Sequence, residues 1–395
     1  MTREKLSKLV HQHCEGKRPY EWQLDVAEAL LLGVDSVVIA GTGMGKTLPF
    51  VMPLLFNPKS HMLIILPLKA LQRDQQRRFR KMGILAIEVN DETWSPKVKQ
   101  DLKTHKYQAI LIGPEMCLDH EGFRELLKAP DFSQDLVGIA VNEAHCISQW
   151  GGDFRPAYGK LGDICSYMPT NIPILATSAT LAPAAMQEVQ QKLHIASVNT
   201  FFINLGNNRP NITPSVIKIK SARDYGALLL LIRPNISGPK ELPKTIIFTN
   251  SIQKTLEILR FLCDNLPESC QPYLDIFHAL RSTNSKTDAL EKFQQSRTKV
   301  LVATEAAGMG ADILDIEHVI QFGVPSSLEV WTQRAGRAGR MPHVQAHAVL
   351  LAERSMFQRK KASKDGSESE EASRELVWGK VVDPNMREWI MATGC

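Results

Sequence analysis

Ser36-Val37-Val38-Ile39-Ala40-Gly41-Thr42-Gly43-Met44-Gly45-Lys46-Thr47 reads as an apolar strand running into a glycine-rich loop and then a helix start. Glycines let consecutive backbone N–H groups turn inward without a Cβ clash, and the helix N-terminus behind them adds partial positive charge. The stretch is a cradle for phosphate. Its spacing is A-x-x-x-x-G-K-T, with Ala40 where such loops usually begin with glycine. Thr42, Gly43, Met44 and Gly45 are expected to line the phosphates. Lys46 is expected to reach the β- and γ-phosphates of ATP, and Thr47 to ligate Mg²⁺.

Outward from this loop, short apolar runs alternate with longer helical patterns, which predicts parallel α/β sheets. The first half offers Ser36–Ala40, His61–Leu66, Ala86–Asn90, Ala109–Ile112, Val137–Val141 and Ile172–Ala176 as strands. The second offers Lys244–Thr249, Tyr273–Phe277, Lys299–Ala303, His318–Phe322 and Ala346–Leu351. Helices are expected over Leu68–Met82 and Ile252–Asn265. The polar stretch Gly206 to Asn211 separates the two series, so the chain divides into a first lobe at 1–207, a second at 208–355 and a tail at 356–395. The Ser/Glu-rich run from Ser363 to Ser373 is expected to be mobile, and Leu376–Trp389 to regain contact with a lobe.

Composition bounds the rest. With 395 residues, 44% of them hydrophobic, the chain suits two cores rather than one. The apolar runs are too short to cross a bilayer, the N-terminus leads into no secretory h-region, and no membrane partner is expected. Net charge of +5 is compatible with nucleic acid without arguing for it. Seven cysteines, an odd number with no CxxC pair, read as reduced intracellular thiols rather than a disulfide framework or a complete zinc site.

A second acidic element is Val137-Gly138-Ile139-Ala140-Val141-Asn142-Glu143-Ala144-His145. A strand ending in Asn142-Glu143 puts both side chains at the carboxyl edge of the sheet, where nucleotides bind. Glu143 is placed to orient and deprotonate an attacking water. The expected neighbour is an aspartate that holds Mg²⁺ through water, and here it is Asn142, nearly isosteric but neutral. Upstream, Gln23 sits before an amphipathic helix, where a glutamine reads an adenine edge or is a plain surface residue. Far downstream, Gln333-Arg334-Ala335-Gly336-Arg337-Ala338-Gly339-Arg340 spaces arginines by glycines. Guanidinium forks suit γ-phosphate oxygens, and Arg337 and Arg340, three apart, would share a face on a helix. Gln333 and Arg334 would line the same cleft.

Taken in order, these motifs resemble the core of a superfamily 2 DNA helicase of the RecQ family, over roughly Arg18 to Arg340. The most specific stretch is Asn142-Glu143-Ala144-His145-Cys146-Ile147-Ser148-Gln149-Trp150-Gly151-Gly152-Asp153-Phe154-Arg155-Pro156, which resembles the family's acidic box and aromatic-rich loop. Ala176 to Thr180 resembles the motif that couples the lobes, Asn208-Arg209-Pro210-Asn211 the interlobe junction, and Ala303 to Asp312 a motif contacting DNA and nucleotide. The resemblance implies two RecA-like lobes, each a mostly parallel sheet covered by helices on both faces. It implies ATP, Mg²⁺, single-stranded and forked DNA, 3′-to-5′ movement, and a nuclear location if the source is eukaryotic. Protein partners are not legible.

Trp150 and Phe154 would stack on unpaired bases from a loop just after the catalytic strand, with Arg155 beside them. Backbone contacts to DNA are expected from Lys69, Arg73, Thr249, His278 and Thr304, and nucleotide contact from Asp312. The family usually follows its core with a four-cysteine zinc module and a winged helix. Cys395 is expected to be the first ligand of such a module if the chain is a fragment. A nucleotide-gated DNA-binding protein with weak ATPase, motivated by Asn142, is the competing reading. A P-loop kinase or transport ATPase would need neither the Gln333–Arg340 motif nor the aromatic-rich stretch.

Overall fold

A computed structural model describes residues 2–152, 155–168, 172–196, 198–232, 236–304, 313–341, 343–361, 376–378 and 380–392. The chain separates into two compact units, residues 1–208 and 209–395.

The first unit is built on seven strands: β1 (Ser36–Ile39), β2 (His61–Ile65), β3 (Ala86–Val89), β4 (Ala109–Ile112), β5 (Leu136–Asn142), β6 (Ile174–Ser178) and β7 (Phe201–Asn204). They pair in the order β3-β4-β2-β5-β6-β1-β7, every neighbour parallel. Parallel strands need crossovers that cover both faces, so their residues are buried on both sides and read as unbroken apolar runs. Strand β2 illustrates this. Met62 and Ile64 pack with Val26, Phe50 and Phe79 on one face, while Leu63 and Ile65 pack with Phe123, Ile139 and Tyr158 on the other. Burying each such side chain contributes about 1.5–3 kcal/mol. The helices Glu21–Leu31, Leu48–Phe56 and Lys69–Lys81 supply the first of these faces.

The second unit repeats the plan with β8 (Ile212–Ile219), β9 (Thr245–Thr249), β10 (Leu274–Phe277), β11 (Val300–Ala303), β12 (His318–Phe322) and β13 (Ala346–Glu353), all parallel, in the order β10-β11-β9-β12-β13-β8. The helix Ile252–Asn265 starts where Ser251 accepts a hydrogen bond from the Lys254 N–H, and Leu328–Ala335 where Ser327 accepts from Val330. The expected mostly parallel, helix-covered sheets are thus the observed ones.

Two strands of the parallel sheets escaped the sequence pattern. β7 and β8 are both sheet edges, partly exposed, and β8 carries Pro214. An edge tolerates a proline that a central ladder would reject, and the exposure of these two, unlike the buried edge β3, leaves no apolar run to read.

The tail is in part a built element. β14 (Arg359–Lys361) pairs antiparallel with β15 (Leu376–Trp378), and the helix Pro384–Met391 buries Met386 and Ile390 against Trp331 and Met356. Arg387 donates to the carbonyls of Met356 and Lys380, both at 2.6 Å, with its guanidinium 4.2 Å over the Trp378 ring. The Ser/Glu-rich run and Cys395 lie outside the described residues. Among the described residues, no helix is long and apolar enough to cross a membrane, and no three acidic, histidine or cysteine side chains form a metal-binding group.

Candidate nucleotide site and nucleic-acid cleft

Because β1, β5 and β6 are parallel neighbours, their carboxyl ends coincide. Ile39 pairs with Ser178 and Asn142 with Thr177. The phosphate loop, Asn142-Glu143 and the Ser178-Ala179-Thr180 stretch therefore meet at one sheet edge, and the Ala40 N–H donates to the Ser178 carbonyl at 3.0 Å. In the loop, Gly43 and Gly45 have φ of 89° and 81°, a region open to glycine and strained for other residues. Lys46 folds back and donates from Nζ to the carbonyls of Ala40 (2.6 Å) and Gly41 (3.2 Å). Thr47 sits at the N-cap of the helix Leu48–Phe56. Thr42 and Met44 are half-buried in the same loop.

Gln23 is held against this loop rather than at the surface. Its side chain is 2% exposed, its Oε1 accepts from the Tyr20 N–H at 2.9 Å, and its Nε2 donates to the Gly45 carbonyl at 3.0 Å. A Cβ on Gly45 would lie 2.7 Å from that Nε2. Both ends of the amide face backbone, so Gln23 braces the cradle in this arrangement.

Asn142 is buried, and its Oδ1 accepts a hydrogen bond from Thr177 Oγ1 at 3.0 Å. Glu143 adopts a left-handed backbone, φ 58°, which costs on the order of 1–3 kcal/mol in a non-glycine residue and turns its carboxylate off the strand. That carboxylate lies 3.4 Å from His145 Nδ1, which is 3.0 Å from Ser178 Oγ. Ser178 Oγ spends its proton on the Thr180 carbonyl at 2.7 Å. It therefore accepts from His145, and Nδ1 carries the hydrogen. A continuous polar chain joins the acid at the end of β5 to the end of β6.

A cleft of about 380 Å³ in the same unit gathers Lys69, Gln72, Asn90, Glu115, Met116 and Arg155. Arg155 is clamped there. Its Nε and Nη2 donate to the two oxygens of Glu115 at 2.7 and 2.6 Å, and its Nη1 to the Pro67 carbonyl at 2.5 Å. Its guanidinium stands 5.7 Å from the Trp150 ring and 5.1 Å from the Tyr158 ring. Lys69 pairs with Asp91 and Glu92, and Arg73 with Glu88 and Glu92. Apart from Arg73–Glu88, whose carboxylate is largely buried, these pairs are solvent-exposed and worth about 0–1 kcal/mol each, so an incoming phosphate can displace them.

The aromatic-rich stretch corrects one expectation. Trp150 is not on a free loop; it ends the helix His145–Trp150 and packs edge to face on Tyr158 at 5.9 Å, half-buried against the core. The cause is Gly151. The helix closes there so tightly that a Cβ would lie 2.3 Å from the Ile147 carbonyl. Phe154 lies outside the described residues.

In the second unit, Thr249 and Thr304 line a cleft of about 560 Å³ with Ser326, Arg334, Val382 and Asp383. His278 is only 9% exposed, so its ring does not stand out as a surface contact; Phe277 ends β10 immediately before it and the strand holds it in. Arg334 is held from within. It does border the cleft, but it is 5% exposed, with Nη1 donating to Gln321 Oε1 at 2.6 Å and Asn250 Oδ1 at 3.3 Å and its guanidinium over Phe248. Gln333 lies in the same helix, half-buried. Arg337 and Arg340 share no helical face: the helix stops at Ala335 with Gly336 as its C-cap, and both arginines follow in a turn and loop. Asp312 lies outside the described residues.

Residues 20–189 match the DEAD/DEAH box helicase model and residues 230–342 the helicase conserved C-terminal domain model. The chain is 32% identical over 334 residues to the ATP-dependent DNA helicase RecQ of Pasteurella multocida, covering 84% of this chain and 49% of that one. This is a RecQ-like superfamily 2 helicase core. It is 31% identical to the rat ATP-dependent DNA helicase Q1 (80% of this chain, 50% of the relative) and to the mouse bifunctional 3′-5′ exonuclease/ATP-dependent helicase WRN (82% and 22%). The RecQ-like core thus spans half or less of these relatives. In structure it matches the DEAD-box helicase Mss116 bound to ssRNA, with TM-score 0.73, 19% identity and coverage of 89% and 74%. It also matches the DUF1998 helicase MrfA bound to DNA, with TM-score 0.70, 18% identity and coverage of 89% and 51%. At such identities these neighbours establish the fold, two helix-covered parallel sheets of the RecA-like type.

The donor set of this RecQ-like core fits a nucleotide triphosphate and fits Mg²⁺ less completely. The glycine cradle and Lys46 are built for phosphate, and the Thr47 hydroxyl suits the metal. The second partner is the neutral Asn142, whose oxygen already accepts from Thr177. Sequence reading missed Thr177 in this role, along with Ser326, Val382 and Asp383 in the second cleft. Thr177, Val382 and Asp383 reach their sites from distant parts of the chain, so no local motif marks them.

Proposed function

We propose that the chain is an ATP-dependent DNA helicase or translocase that moves 3′ to 5′ on single-stranded DNA and opens forked duplexes. The observation that carries the reading is the convergence of phosphate loop, Glu143 and the Ser178–Thr180 stretch at one sheet edge, in a chain whose relatives are named as RecQ helicases. The backbone of residues 42–45 and Lys46 bind the ATP phosphates, with Lys46 exchanging two carbonyl partners for phosphate oxygens. Glu143 takes a proton from the water that attacks the γ-phosphorus. Arg337 and Arg340 neutralise charge on the transferring phosphoryl group. When bound, Mg²⁺ shields the β- and γ-phosphate charge, and Thr47 is the side chain that holds it. Single-stranded DNA runs over the cleft of Lys69, Arg73 and Arg155 and over Thr249 and Thr304. A eukaryotic chain of this kind would work in the nucleus.

Steady-state ATP hydrolysis with and without single-stranded DNA, with Lys46→Ala as blank, tests this reading. DNA-stimulated turnover above the blank is expected, followed by displacement of a strand from a 3′-tailed but not a 5′-tailed duplex. Turnover at the level of the blank overturns it. One observation favours a second reading: the side chain at the expected aspartate position is the neutral Asn142, whose oxygen accepts from Thr177. In that case the chain binds DNA under nucleotide control and hydrolyses ATP poorly.

A smaller effect follows from the Arg155 clamp. Glu115 occupies the fork that a DNA phosphate needs. Glu115→Gln removes the competing charge, worth about 1 kcal/mol for a partly exposed pair, so single-stranded DNA should bind about fivefold more tightly. Fluorescence anisotropy with a labelled oligonucleotide reads the change; unaltered or weaker binding would show that Arg155 takes no phosphate.

A further inference from the structure

The stretch Asn208-Arg209-Pro210-Asn211, where the chain passes into the second unit, makes a set of contacts that its position as a junction does not require. The Gly339 carbonyl accepts from Arg209 Nη2 at 2.5 Å and from Asn211 Nδ2 at 2.6 Å. Asn211 Nδ2 also lies 2.9 Å from the Val344 carbonyl, and the Asn211 carbonyl accepts from the Ala346 N–H at 2.9 Å. The Asn211 side chain is buried, so water cannot replace these bonds. From the other side, the Gly339 N–H donates to the Ile316 carbonyl at 2.9 Å, and Ala338 is fully buried. Gly339 takes φ of 52°, and a Cβ there would lie 2.8 Å from Asn211 Nδ2. The peptide between Arg337 and Arg340 is thus fixed at both its N–H and its carbonyl.

Arg209 and Arg340 are also electrostatic neighbours. The Arg209 guanidinium loses proton affinity first through burial and then through the charge of Arg340. Two cations held side by side raise the local potential where an anion is to be received.

We propose that Arg209 and Asn211 are positioning residues for the arginine loop, setting Arg337 and Arg340 in place for the transferring phosphoryl group by holding the Gly339 carbonyl. The inference rests on the reading of Arg337 and Arg340 under Proposed function. A loop released from this clamp keeps its charges but loses their placement. Displacing a transition-state group by about 1 Å lowers turnover on the order of 100-fold without touching ground-state binding.

The test uses the full chain and four variants: Arg340→Ala, Asn211→Ala, Arg209→Gln and Arg209→Lys. ATP turnover and KM are measured with single-stranded DNA. Affinity for a fluorescent ADP is measured alone and with aluminium fluoride, which mimics the transferring phosphoryl group. Asn211→Ala and Arg209→Gln should lower kcat roughly 10–100-fold, leave KM and ADP affinity within about twofold, and lower affinity for the fluoride complex by a factor similar to kcat. Arg209→Lys, which keeps a donor and a charge, should recover part of both. A parallel fall of kcat, ADP affinity and melting temperature would mean that the clamp serves folding only and overturns the proposal. Loss in Arg340→Ala with none in the Arg209 and Asn211 variants sinks the positioning role alone. No loss in Arg340→Ala overturns the arginine reading and this inference with it.

Discussion

Asn142→Asp should lower the Mg²⁺ concentration needed for half-maximal ATP binding by roughly 10–100-fold, the scale on which outer partners of a metal site act. The change is nearly isosteric and adds one negative charge at the buried end of β5. Two unit charges about 4 Å apart at an effective dielectric of 20 attract by about 4 kcal/mol, and a water layer between them reduces that to the predicted range. In the natural chain Asn142 Oδ1 accepts from Thr177, which leaves one lone pair of a neutral oxygen, and no negative charge, for the hydrogens of metal-bound water. Thr177→Val, which frees Oδ1, should shift the titration in the same direction by less, and should have little effect once residue 142 is aspartate. Binding of a fluorescent ATP analogue titrated with Mg²⁺ reads this apart from turnover. An unmoved midpoint in Asn142→Asp would show that Asn142 does not face the metal. If turnover also rises toward that of an active motor, the second reading under Proposed function describes the natural chain.

Arg334→Met should destabilise the second unit by about 3 kcal/mol. A hydrogen bond to a charged group contributes about 1.5–3 kcal/mol, and the substitution also strands the oxygen of the fully buried Gln321. The Arg334 network ties β12 to Asn250 at the end of β9, and Asn250 in turn donates to the Val324 carbonyl at 2.8 Å. Hydrogen exchange of the β9 and β12 amides is the measurement, and their protection should fall by about two orders of magnitude. Lys69→Ala on the first unit, by contrast, removes only exposed pairs and should cost under about 1 kcal/mol. A loss below about 1 kcal/mol in Arg334→Met would mean that the network is satisfied equally well without its charge.

Central strands such as β2, β5 and β9 were legible because burial on both faces writes an apolar run into the chain. β7 and β8 were not, because these two edges are exposed along much of their length, whereas the edge β3, buried at Ala86, Ile87 and Val89, was legible. The phosphate loop was legible because its chemistry is local: glycines at Gly43 and Gly45 answer a backbone need that lies within seven residues. Trp150, by contrast, read as a loop aromatic from its place just after the catalytic strand, and only the closure at Gly151 assigns it to the end of a helix against Tyr158.

By itself, then, the sequence determined the α/β class, the order of the strands along the chain, the phosphate loop and the family, since each depends on periodicity or on residues close in the chain. Tertiary structure alone decided the partners: Glu115 on Arg155, Thr177 on Asn142, Asn250 and Gln321 on Arg334, Asn211 on Gly339. These contacts join residues 35 to 128 positions apart, or lie on separate elements that meet only once the sheet order is set. Many chains share a strand pattern, but the hydrogen-bond partner of a buried polar group is chosen by where the packed sheets bring an acceptor within about 3 Å.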